Sequence, residues 1–246
     1  MSLGDINARV ETYVRGKSWY WYAPLWLLGL YACWQLFRFN MVAGRTPLIV
    51  LIPYSFDFFL HEWAHIFTAF LPAVLTAAAG SLSELLLGAG LVIAAIWQRS
   101  YFALLFCLLW FDLACQSAGQ YMADAVPQRL PLVSLAGALS GQEPKHDWHF
   151  VFGQLHLLGA SAFISGSLRV IGGAAGILGL AFAAWLLYKM ARAPAWAASG
   201  NEAILVASYR PTASPKPALP EDNGFTSYPI GDSAPVPTPS KHTRHI

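Results

Sequence analysis

What this sequence has least of is charge: only 11% of its 246 residues are Asp, Glu, Lys or Arg, against 56% hydrophobic. A soluble domain carries about a quarter charged residues, so the chain has too little polar surface to cover itself in water. Alternation of polar and apolar residues is also missing from its apolar stretches, which excludes a membrane β-barrel. The net charge is +2 and the Lys and Arg residues are scattered, a balance that implies no nucleic-acid partner. Cysteine is scarce. Cys33, Cys107 and Cys115 all lie in apolar runs, and no Cys-x-x-Cys pair occurs, so the chain encodes neither an oxidised extracellular framework nor a thiolate metal site. Residues 1–18 mix Arg9, Arg15 and Lys17 with Asp5 and Glu11. They contain no short apolar region ending in a small-residue cleavage site, and the first apolar run is therefore expected to be retained.

What is present is a series of apolar runs of about twenty residues, the length that crosses roughly 30 Å of hydrocarbon as a helix. The expected fold class is all-α, a polytopic transmembrane helix bundle of about five to six spans with a disordered C-terminal tail. Residues 19–37 form a first span with a Trp and Tyr cluster at its start, suited to a headgroup belt. Residues 47–71, 73–97 and 100–124 form three more, and 73–97 is rich in Ala and Gly, as where helix backbones approach closely in lipid. A loop runs from Val126 to Lys145, its Pro127, Pro131 and Gly141 opposing a regular element. From His146 to Met190 the chain is again apolar and too long for one span, with a break expected at ISGSLR, residues 164–169. Domain boundaries follow as 1–18, an N-terminal segment; 19–190, the transmembrane helical domain; and 191–246, a Pro-rich tail read as disordered. Basic residues flank most helix ends, so the positive-inside rule selects no orientation.

Within the second span stands HEWAH, residues 61–65. His61 and His65 are four residues apart, which sets both imidazoles on one helix face at a separation that one zinc ion bridges. Glu62 lies about 100° round the helix, placed to reach a metal-bound water without being a ligand. A chance H-E-x-x-H in a chain of this length is on the order of one in a hundred. An acid in the middle of a spanning helix costs about 3 kcal/mol and is rare without a function. The bland alternative is an interhelical hydrogen-bond cluster. Asp57, one turn before His61, is a candidate to accept the spare N–H of an imidazole and so orient it, or else a polar residue at the bend after Pro53.

A catalytic zinc site needs a third protein ligand and an open position. Asp112, Gln116, Gln120 and Asp124 recur every four residues through the fourth span, a polar stripe that must face the bundle interior. Asp124, at its end, is one candidate ligand. The HDWH segment supplies the others: His146 and His149 three apart, then His156, with Pro144 just ahead and able to open a helix that leans over the metal. His146 is the candidate carried forward from that set. Glu84 is a further intramembrane acid whose default partner is a His or Gln of a neighbouring span. Gly172, Gly173, Gly176 and Gly179 follow no strand and are packing glycines, not a phosphate loop.

An H-E-x-x-H in a spanning helix, followed two spans later by an acid, resembles the site-2 protease family of intramembrane zinc metalloproteases. In that family the second motif reads N-x-x-P-x-x-x-x-D-G, with the Asp as third zinc ligand. Aligning Asp124 with it puts Gln116 at the Asn position, Gly119 at the Pro position and Ala125 at the Gly position, so only the metal-binding residue is kept. Residues 55–165 also resemble bacterial multi-spanning membrane proteins of unassigned activity that combine H-E-x-x-H, an alanine-flanked Asp and a later His-Asp-Trp. The resemblances imply zinc as cofactor, a bacterial cytoplasmic (inner) membrane as location and a membrane-protein substrate. Two other readings stay open. One is a His-rich di-iron membrane oxygenase. The other is a non-enzymatic subunit of a larger membrane complex, in which a structural metal is closed by a group such as His146 and partner subunits take the Pro-rich tail.

Overall fold

The computed structural model describes residues 3–132 and 145–192. Their helices are α1 (Leu3–Val14), α2 (Trp19–Arg38), α3 (Leu48–Phe67), α4 (Ala73–Trp97), α5 (Ala103–Ala123), α6 (Asp147–Gln154) and α7 (Ser161–Arg192), with a 3₁₀ turn at Leu158–Ala160 before α7. Among the described residues the only extended pairing is an isolated bridge between Asn40 and Arg45. The proline-marked boundaries fall where chain stiffness puts them. Pro47 and Pro72 immediately precede α3 and α4, and the Pro72 carbonyl accepts from Leu75 and Thr76 N–H in the first turn.

Among the described residues, three segments are long and apolar enough to cross a membrane: α4, α5 and Leu158–Arg192. Helices α2 and α3 have 20 residues each. The distribution of side chains is the reverse of a soluble protein. Ile52, Leu86, Ile93, Phe163 and Val170 are 66–78% exposed, while Asp57, Glu84, Asp112 and Asp124 are 0–3% exposed. Apolar groups facing outward and carboxylates inward are what a hydrocarbon solvent selects.

Helix α5 lies between α4 and α7. The α5–α7 seam is close because it is built on glycines: a Cβ on Gly172 would stand 2.5 Å from the Cβ of Cys115 and 2.9 Å from Asp112 Oδ1. Backbone approach of that kind is how helices associate in lipid. The polar stripe of α5 is buried as expected, but each member turns to a different partner. Gln116 donates to Asp112 and to the Arg169 carbonyl, whereas Gln120 accepts from Met41 N–H and donates to the Phe39 carbonyl. A four-residue repeat advances about 40° per step on a 3.6-residue helix, so the stripe winds from α7 toward the 39–41 turn.

One segment gains a helix and one expectation changes. The 1–18 segment holds a helix, α1, whose Val10 and Val14 are buried and whose Asn7 and Glu11 meet Lys189 of α7 at 3.0 and 3.5 Å. Nor does the chain break at residues 164–169. It breaks earlier, at His156, whose φ is +56°, and α7 then runs unbroken for 32 residues. Ser165 does not disturb it because its hydroxyl donates to the Ala162 carbonyl of its own helix. The expected disordered tail lies outside the described residues, except for Ala191 and Arg192, which close α7. So does most of the 126–145 loop.

Candidate metal centre

The site assembles on the C-terminal half of α3, the N-terminal half of α4, the end of α5 and the start of α6. His61 and His65, one turn apart on α3, bring their ring centroids to 4.9 Å in an edge-to-face arrangement. Each has its Nδ1 taken. That of His61 donates to Glu84 Oε1 at 2.7 Å, and that of His65 donates to the Thr76 carbonyl at 2.8 Å. A carbonyl only accepts, so Nδ1 of His65 carries the hydrogen, and in the neutral ring Nε2 is left as a lone pair. A carboxylate on Nδ1 of His61 imposes the same tautomer. Thr76 is itself fixed, its hydroxyl donating to the Thr68 and Leu71 carbonyls where α3 turns into α4. The His61 ring lies on the bare backbone of Gly80, where an added Cβ would collide with it.

Both free Nε2 atoms face one carboxylate oxygen. Asp147 Oδ2 is 3.5 Å from His61 Nε2 and 3.3 Å from His65 Nε2. Among the described residues these three form the group able to hold a metal ion. Two imidazole lone pairs and a carboxylate repel one another unless a cation or a proton lies between them. A charge-assisted hydrogen bond would draw N and O to about 2.7–2.9 Å. By contrast, a tetrahedral ion with bonds of about 2.0–2.1 Å sets its ligand atoms about 3.3–3.4 Å apart. At 3.5 and 3.3 Å the separations are longer than such a hydrogen bond, and two imidazoles with one carboxylate are a donor set that could hold a metal ion.

Asp147 is placed by its neighbours on all sides. It is the first residue of α6, and His146, the N-cap, accepts the His149 N–H on Nδ1 at 3.2 Å. Trp148 Nε1–H donates to Ser81 Oγ at 2.9 Å, latching α6 to α4. His149 Nδ1 donates to the Ala125 carbonyl at 2.7 Å. Tyr121, on α5, donates its O–H to Asp147 Oδ2 and accepts the Asp147 N–H, both at 3.1 Å. HDWH therefore does open a helix over the histidine pair, and the residue it delivers there is its Asp.

The other sequence candidates stand as follows. Glu62 is buried on α3 beside the pair and close enough to Tyr121 to interact with it electrostatically. Asp124 and His146, the two candidates for the third ligand, are not brought to His61 and His65. Asp124 is the C-cap of α5, where the chain turns and leaves backbone N–H groups to be satisfied; its carboxylate accepts from Arg129 N–H at 2.8 Å and Leu130 N–H at 2.9 Å. Its Oδ2 also faces His146 Nε2 at 3.4 Å. Asp57 accepts from Trp110 Nε1–H at 2.9 Å rather than from His61, whose spare N–H goes to Glu84. His156 is exposed at the end of α6, away from the cluster. The residues missed in the sequence are Asp147 and Tyr121. The first had a signal, an acid between His146 and Trp148 after Pro144; the second had none. No protein-family model, curated protein or solved structure matches the chain.

Proposed function

We propose that this chain is an intramembrane zinc-dependent hydrolase that cleaves peptide bonds, with His61, His65 and Asp147 as metal ligands and Glu62 as general base. The observation that carries the reading is the convergence of two imidazole Nε2 atoms on one carboxylate oxygen, with both Nδ1 atoms already engaged. Zinc held by three protein groups supplies Lewis acidity toward a carbonyl and lowers the pKa of a water in the fourth position toward about 7. The protein's own residues do the rest. Glu84 and the Thr76 carbonyl hold the imidazoles in the metal-binding tautomer, and Glu62 takes a proton on a carboxylate oxygen and returns it to the leaving amine. Burial of Glu62 and Glu84 among α3, α4 and α5 keeps bulk water away and strengthens each of these interactions.

The fourth position is the point that separates this reading from the others. His146, which would close the site in a structural metal centre, spends Nδ1 on capping α6 and turns Nε2 to Asp124. His149, a further ligand in the di-iron reading, donates Nδ1–H to the Ala125 carbonyl and is not part of the group that His61, His65 and Asp147 form. In the membrane reading α2 and α3 join the three apolar segments as spans, so that the histidine pair stands within a helix of the bundle. A bacterial cytoplasmic membrane is the location proposed, on the resemblance to bacterial multi-spanning proteins, with membrane-protein segments as substrate and the lipid bilayer as solvent.

Glu62→Gln tests the catalytic assignment. It keeps volume and hydrogen-bonding reach but cannot take the proton, so the variant should hold as much zinc as the parent while hydrolysis of a membrane-embedded peptide falls by about 10²–10⁴-fold. Parent-like cleavage by this variant would remove Glu62 from the mechanism, and loss of zinc would make it a ligand.

A further inference from the structure

Tyr121 lies outside the motifs that carry the histidines, and its hydroxyl is spent entirely on one residue. It donates to Asp147 Oδ2 at 3.1 Å and accepts the backbone N–H of the same Asp147 at 3.1 Å. These two bonds close a ring that fixes both the α6 start and the Asp147 side-chain rotamer. The oxygen that receives the Tyr121 hydrogen is also the one that faces His61 Nε2 and His65 Nε2. With the imidazoles in the tautomer set by Glu84 and Thr76, neither Nε2 offers a hydrogen. Among the described residues, the hydrogen bond that reaches Asp147 Oδ2 comes from Tyr121. The ring is held in turn by His146, whose imidazole lies 4.5 Å away at 31°, and stands 5.9 Å from that of His61.

From this geometry we infer that Tyr121 is a positioning residue of the metal centre, which preorganises Asp147 as a ligand through one lone pair of Oδ2 and leaves the other for the ion. The inference rests on the zinc reading of His61, His65 and Asp147. It says something that reading does not require, because a carboxylate at the start of α6 could ligate without help from α5. Preorganised donors around a ligating group usually change metal affinity by about 10–100-fold.

The test is metal affinity of the full chain in detergent, with cobalt as probe and chelator competition as readout, beside the cobalt visible spectrum. Tyr121→Phe keeps the ring on His146 and removes only the hydroxyl. It should weaken cobalt binding by about 10–100-fold and alter the ligand-field bands, with helical content unchanged. In an Asp147→Ala background, where there is no carboxylate to hold, the same substitution should shift the residual affinity less than about twofold, the non-additivity expected of two groups acting through one contact. Parent-like affinity and spectrum in Tyr121→Phe would overturn the inference while leaving the metal site standing. So would an equal loss in both backgrounds, which would mean that Tyr121 acts through His146 or the fold. A parent that binds no cobalt would bring down the zinc reading, and this inference with it.

Discussion

At the scale of single residues, the hydrogen bonds at Nδ1 of His61 and His65 decide which lone pairs are left free. His61 and Glu84 were both visible in the sequence as polar groups at membrane depth, and their 2.7 Å contact is the His-to-acid pairing that burial of an acid demands. Glu84→Gln keeps a hydrogen-bond acceptor but removes the charge that favours the Nδ1–H tautomer and raises ligand basicity. Its zinc affinity should therefore fall by about 10–100-fold, measured by chelator competition, with His61 still in place. An unchanged affinity would mean that Glu84 serves packing alone. The two histidines and Glu62 were legible because helical period fixes their mutual bearing from spacing. Asp147 was harder to see. Its position depends on how α6 packs against α4 and α5, and nothing in spacing along α3 and α5 says which of several acids a distant helix will bring over. Asp124 was the more prominent candidate because it ended a periodic stripe, yet that same position made it the C-cap, where two backbone N–H groups claim its carboxylate.

At the scale of elements, α6 is the part that brings a carboxylate, that of Asp147, to the two histidines of α3. It has only eight residues, too few to be stable alone. Besides the Tyr121 bonds to Asp147, its attachments are the Trp148 bond to Ser81, the His149 bond to the Ala125 carbonyl and the packing of Val151 and Phe152 with Ala78 and Met122. Trp148→Phe preserves most of the apolar contact and deletes one bond, leaving the buried Ser81 hydroxyl without this donor. A cost of about 1 kcal/mol in detergent unfolding is expected, together with weaker zinc binding, since Asp147 rides on the same helix. Equal stability with unchanged zinc affinity would show that the latch is not what holds α6. The α5–α7 glycine seam was readable as packing from its four glycines. The place where α6 ends was not. The polar ISGSLR stretch looked like an interruption, but Ser165 satisfies its hydroxyl on the Ala162 carbonyl of the preceding turn, and the break falls at the left-handed His156 instead.

At the scale of the whole molecule, composition decided the solvent. Boundaries of the apolar helices followed closely, with 73–97 read in the sequence and Ala73–Trp97 observed for α4, because length and hydropathy are one-dimensional properties that need no knowledge of neighbours. The N-terminal helix α1 was not read, being polar on one face and fixed by contacts with the far end of α7. With exposed apolar groups on the outer surface of α3, α4 and α7, the full chain should stay in the membrane pellet after alkaline carbonate washing and be released only by detergent. Release by carbonate would contradict an integral membrane location.

The site has one claim from which the others follow, that Asp147 and not Asp124 completes the ligand set with His61 and His65. Zinc per chain, measured by elemental analysis on the full-length protein and two isosteric variants, tests it directly. The parent and Asp124→Asn should each hold about one zinc, since Asn still offers an oxygen to the turn at Arg129 and Leu130, while Asp147→Asn should hold almost none. Retention of zinc by Asp147→Asn with its loss from Asp124→Asn would contradict the account.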